Sequence, residues 1–175
     1  AINREQDRDA PPMEEVLRDE WRPAKPELTD TTCHVLKVVR DGRLRGFASY
    51  FSCHPVVCCQ TTRYIHGDFV GVATNLLERE HPGTVGLFLQ GAHGDLNSCV
   101  VHKPELVAMP ALDVIASRYA RAVRRGLDEA RPLEVDAIGG AVREVAFARR
   151  PWTADGVRRR LAEQEALIAE ADSDE

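Results

Sequence analysis

Apolar and polar positions follow two different periods along this chain, and the changes of period mark out its elements. His34-Val35-Leu36-Lys37-Val38-Val39 is apolar and β-branched and predicts a strand. Asp41-Gly42 is a hairpin-turn dipeptide, and a second strand runs from Leu44 to about Cys53. Pro55 stops it, because proline has no N–H to donate to a ladder. After a loop from Val57 to Gly67 the period lengthens. Phe69, Val72, Ala73, Leu76 and Leu77 lie on one helical face, with Asp68 placed to cap the first turn and His81-Pro82-Gly83 to end the last. Thr84 to Gln90 is nearly all apolar and predicts a buried central strand. A loop from Gly91 to Val101 leads to a helix over about Leu112 to Ala130, with Leu112, Ile115, Tyr119, Val123 and Leu127 as its buried stripe. Leu133 to Ile138 and Ala141 to Ala148 read as strands around Gly139-Gly140, and Thr153 caps a last charged helix through Glu170.

Alternating strands and helices predict an α/β fold, a layered mixed sheet with flanking helices. Residues 1–30, with Pro11-Pro12, Pro23 and Pro26, read as an irregular lead-in with one short helix around Met13 to Arg18. The chain opens without Met and closes on an acidic run, so residues 31–175 are expected to be part of a larger domain. The net charge of -5 does not suggest a nucleic-acid partner, and the run Arg158-Arg159-Arg160 reads as a solvated helix face. No apolar stretch approaches the ~18 residues of a membrane span. Five cysteines, an odd count, argue against a fully paired disulfide framework. Cys58-Cys59, between two histidines, reads as either a soft metal site or small buried side chains. Trp21 and Trp152 read as packing anchors, and His34, His81 and His102 as core or surface histidines outside any site.

The chemistry gathers at the predicted element ends. His54 follows the second strand, His66-Gly67-Asp68 opens the first long helix, and His93-Gly94-Asp95 follows the apolar strand. If those strands are parallel neighbours, their C-terminal loops converge. Imidazole and carboxylate are ligands of a catalytic zinc, which takes three protein ligands and keeps one position open. The loop Gly91 to Ser98 carries His93, Asp95, Asn97 and Ser98 within a few residues and is expected to line the substrate site. Gly91 and Gly94 would let the backbone approach a substrate or take positive φ. The plain alternative is that Asp68 is a helix cap and the remaining residues decorate loops.

Three segments in order resemble the neutral/alkaline non-lysosomal ceramidase family: Phe51-Ser52-Cys53-His54-Pro55, then Gly67-Asp68-Phe69-Val70-Gly71 with Leu77-Glu78, then Phe88-Leu89-Gln90-Gly91-Ala92-His93-Gly94-Asp95-Leu96-Asn97. Ile2-Asn3-Arg4 also resembles a segment that precedes them. The resemblance covers roughly residues 1–100. It implies a zinc amidohydrolase that splits the N-acyl bond of ceramide, with His54 as one zinc ligand and an extracellular or secreted location. It implies further ligands before Ala1 and after Glu175. One position departs from the family: Asn97 stands where a catalytic serine is expected, and Ser98 comes one place later. Asparagine can stabilise an oxyanion but cannot be the nucleophile. Hydrolysis of another amide or ester by metal and water alone therefore stands beside ceramide cleavage. A metal hydrolase of soluble amides or sugar derivatives, and a binding domain that kept only the fold, are the remaining readings.

Overall fold

A computed structural model describes residues 1–7, 11–58, 62, 65–148 and 151–173. Its contacts divide the chain into two units, Ala1–Leu133 and Glu134–Glu175. The first unit is α/β. It contains β1 (Ile2–Asn3), α1 (Met13–Val16), a 3-10 turn at Pro26–Leu28, β2 (His34–Arg40), β3 (Arg43–Phe51), α2 (Asp68–Glu80), β4 (Val85–Gln90), β5 (Leu96–Asn97) and α3 (Glu105–Glu129).

The sheet order is β2-β3-β4, with β2 antiparallel and β4 parallel to the central β3. The β2–β3 turn is Asp41-Gly42, with φ of 54° and 71°, the type I′ geometry whose twist suits a two-residue hairpin. The β3–α2–β4 segment is a βαβ unit, so the ends of β3 and β4 lie side by side, Phe51 opposite Gln90. Beyond those ends, β5 pairs antiparallel with β1, Ile2 opposite Asn97 and Asn3 opposite Leu96. The first residues of the lead-in are thereby tied to the loop that follows β4.

One sheet face is packed. Phe47 and Ser49 of β3 lie under α2 and α3, whose Phe69, Ala73, Leu77, Leu112, Tyr119 and Val123 complete the core. Full burial of a side chain such as Phe69 or Leu112 contributes about 1.5–3 kcal/mol. The Tyr119 hydroxyl donates to Ser49 Oγ at 2.9 Å, which satisfies both buried groups. The opposite face carries Leu36, Val38, Tyr50, Val85, Leu87 and Leu89, all exposed.

Several expectations need correcting. The apolar run of β4 predicts a strand buried on both faces, yet β4 is an edge strand with Leu87 54% exposed. Its inward residues are covered by helices, and among the described residues no second layer covers the rest. In the α2 stripe Leu76 is exposed, and burial follows Phe69, Ala73 and Leu77, spaced by four. The helix expected from Leu112 begins at Glu105 and carries Pro110 inside it. The carbonyl that Pro110 leaves unbonded belongs to Leu106, whose residue is exposed and open to water.

In the second unit, residues 134–148 are exposed and form no strand, against the two strands expected there. A strand exists only through a ladder partner, and the period-two pattern of these residues finds none. Trp152 is exposed rather than a packing anchor, whereas Trp21 packs against the core of the first unit. Helix α4 (Ala154–Ser173) begins where expected, with Thr153 Oγ1 accepting the Gly156 N–H at 3.1 Å.

Candidate functional site

The parallel pairing of β3 and β4 brings their C-terminal loops together. His54 N–H donates to the Leu96 carbonyl at 2.8 Å, and His54 forms an isolated parallel bridge with Asn97. The Gly91 N–H donates to the Phe51 carbonyl at 3.0 Å. A Cβ at Gly91 would come 2.5 Å from Ser52 Oγ and 3.0 Å from the Phe51 carbonyl oxygen, so the two loops approach only because this residue is glycine. Gly91 does not have positive φ, and neither does Gly94, which faces open space. Gly91 thus has a packing role in this structure, and Gly94 has no steric reason to be glycine.

Two imidazoles face each other across this junction. The His54 and His93 rings are 4.6 Å apart between centroids at 78°. His93 Nδ1 lies 3.1 Å from the Gly91 carbonyl, which only accepts, so Nδ1 carries the proton and Nε2 keeps a free lone pair. His54 Nδ1 is buried and has no hydrogen-bond partner. Burial holds the His54 imidazole below the usual histidine range, His93 and Arg4 push the same way, and Asp68 opposes them. Asn97 Oδ1 is also buried without a partner. Buried polar atoms are nearly always paired, and each exception points to a missing partner or a functional use.

The other expected residues are used differently. Asp95 Oδ2 accepts from the Asn3 amide at 2.9 Å, and its carbonyl accepts the Arg4 N–H, so Asp95 ties β1 to the loop. Ser98 is buried, and its hydroxyl donates to the Val100 carbonyl, pointing inward. Asp68 is not a plain N-cap. It is buried at φ 52°, its Oδ1 accepts the Phe69 N–H at 2.8 Å, and its Oδ2 accepts the Cys58 N–H at 2.8 Å. It clamps the preceding loop to the start of α2. His66 Nδ1 accepts the Asp68 N–H at 2.9 Å and lies 3.3 Å from Cys58 Sγ. Cys59 lies outside the described residues; Cys33, Cys53 and Cys99 are free thiols. His34, His81 and His102 are exposed.

The sequence reading missed Asn3, which holds Asp95 and whose Oδ1 accepts the Glu5 and Gln6 N–H groups. Its only signal was membership of Ile2-Asn3-Arg4. Among the described residues no three His, Cys, Asp or Glu side chains cluster closely enough to hold a metal ion. Two facing imidazoles, one with an orphaned nitrogen and one with a fixed tautomer, nevertheless have the chemistry of a partial donor set. No helix among the described residues is long and apolar enough to cross a membrane. No protein-family model matches the chain, and no curated protein matches it.

Proposed function

We propose that this chain contributes part of the site of a zinc-dependent hydrolase acting on an N-acyl amide, ceramide being the substrate its motifs resemble. The observation that carries this reading is the His54–His93 pair with the unpartnered His54 Nδ1, at the C-terminal ends of adjacent parallel strands. His54 and His93 would hold the metal, with further ligands supplied from outside the described residues. A bound zinc supplies Lewis acidity to the scissile carbonyl and to an attacking water. The chain's own residues do the rest. The Gly91 carbonyl holds the His93 proton on Nδ1 and so presents Nε2. The lowered pKa of His54 keeps its ring neutral, the form that binds metals. Asn97 offers an amide for the acyl oxygen, and Asp95 fixes the loop through Asn3 rather than carrying a proton.

Zinc affinity, measured by competition with a chromophoric chelator, tests the metal. His54→Ala and His93→Ala should each weaken it about tenfold or more. Unchanged affinity in both variants would remove the metal from the proposal. Parallel assays of the protein on a fluorescent ceramide and a short N-acyl amide test the substrate class.

A further inference from the structure

A second feature of the first unit needs neither metal nor turnover. A cavity of about 310 Å³ lies where the lead-in meets α3, within the size range of small-molecule sites, about 300–1,000 Å³. Its wall is aromatic, with Trp21, Phe51, Phe69 and Tyr119 all contributing. Phe51 and Phe69 already pack on the Tyr119 ring, at centroid distances of 5.7 and 5.5 Å. Such a wall favours a flat ring, which gains edge-to-face contacts that a flexible chain does not.

The same wall carries one sign of charge. Arg22 and Arg118 line it, and no described acidic side chain does. Arg118 gives one Nη to the Val16 carbonyl at 3.1 Å and the other to the Arg18 carbonyl at 2.6 Å. Its Nε is buried, makes no hydrogen bond and stays 3.5 Å from Asp19 Oδ1. Asp19 is already held by Arg121, through both carboxylate oxygens at 3.1 and 3.2 Å. Two guanidiniums, those of Arg118 and Arg121, therefore share one carboxylate, and Arg22 donates only to the Asp19 and Trp21 backbone carbonyls. The local excess is positive, beside an unused donor. The Cys33 and Cys99 thiols on the wall have pKa values raised by burial, so they add no negative charge near neutral pH.

We propose that this cavity binds a small aromatic carboxylate, its ring against the four aromatic side chains and its carboxylate on the Arg118 guanidinium. Calorimetric titration of the whole chain with 2-naphthoate tests it, with 2-naphthylmethanol and decanoate as comparisons. The acid should bind with one-to-one stoichiometry and at least about tenfold more tightly than the alcohol, the difference a charge-assisted pair makes. It should also bind more tightly than decanoate. Ala122→Phe fills the cavity from α3 and should abolish binding. Arg118→Met should remove the preference for acid over alcohol, and if that variant does not fold, the acid–alcohol comparison on the unaltered chain decides the point. No saturable binding of 2-naphthoate, equal affinity for the alcohol, tighter binding of decanoate, or undiminished binding in a folded Ala122→Phe protein would each overturn the proposal.

Discussion

Asp68 separates two physical accounts of the loop before α2. Read as an ordinary N-cap, its replacement by alanine would cost about 1 kcal/mol. The structure gives the side chain more to do. Both carboxylate oxygens accept backbone N–H groups, from Phe69 and Cys58, each at 2.8 Å, and the residue is only 5% exposed. Hydrogen bonds to a charged group contribute about 1.5–3 kcal/mol each, and the N–H groups left behind are poorly placed to find water. Asp68→Ala should therefore cost about 3–5 kcal/mol. The backbone adds a second signature. At φ 52°, alanine pays the left-handed penalty of about 1–2 kcal/mol that glycine does not. Asp68→Gly should lose the same hydrogen bonds yet be about 1 kcal/mol more stable than Asp68→Ala. Asp68→Asn, which keeps one accepting oxygen, should be the mildest of the three. Urea denaturation at neutral pH, with the three midpoints compared at a common slope, gives the order. A cost near 1 kcal/mol for alanine, or glycine no better than alanine, would refute the clamp and restore the simple cap.

Asn97 and Ser98 should behave as opposites. Asn97→Ala removes a buried oxygen that has no partner and should change stability by less than about 1 kcal/mol, while lowering turnover of an N-acyl amide about 10²–10³-fold. Ser98→Ala should cost about 1 kcal/mol through the lost bond to Val100 and leave turnover intact, and the reversed pattern would show that the serine faces the substrate. Burial raises the Tyr119 phenol above the usual tyrosine range, so the folded state holds that proton more tightly than the unfolded chain. The Tyr119 contribution to stability should be constant below about pH 10 and fall above it; urea midpoints from pH 8 to 11.5 should show a shallower fall above pH 10 in Tyr119→Phe, and equal slopes there would contradict this. Burial pushes the Cys53 thiol up to about 11, so peptide mapping after brief alkylation at pH 8 should find it unmodified in the native protein and labelled in urea. Rapid native labelling of Cys53 would place it at the surface instead.

The parts of the fold that were legible in the sequence are those fixed by local chemistry. Asp41-Gly42 specifies a type I′ turn, and the strand before it follows from the β-branched run of His34 to Val39. The α3 stripe from Leu112 to Leu127 is written in a 3.6-residue period. What the sequence could not show depends on partners. The runs around Val135 and Val145 have strand-like residues but no ladder. Thr84 to Gln90 reads the same whether one face or both are covered, because the residues carry the propensity and the surroundings decide the burial. The helix expected from Leu112 starts before Pro110, because the exposure of Leu106 that makes the missing bond cheap is a tertiary fact. At the site, strand ends located His54 and His93, but tautomer and orphaned atoms come from contacts far apart in sequence. Ser98 turning inward to Val100, and Asp95 being taken by Asn3, are of the same kind.

The hairpin and the site also differ in when they can form. The β2–β3 pairing closes over two residues, whereas His54 reaches Leu96 only after α2 and β4 have been laid against β3. Ordering so long an intervening segment must precede any return from its contacts, so the site sits at the late end of assembly and at the early end of unfolding. The molecule can thus open its candidate chemistry while its sheet persists. Native-state hydrogen exchange reads this directly: the His54 amide should exchange through a partial opening of lower free energy than the Lys37 and Phe47 amides. Equal opening energies at all three would mean that site and sheet are one cooperative unit.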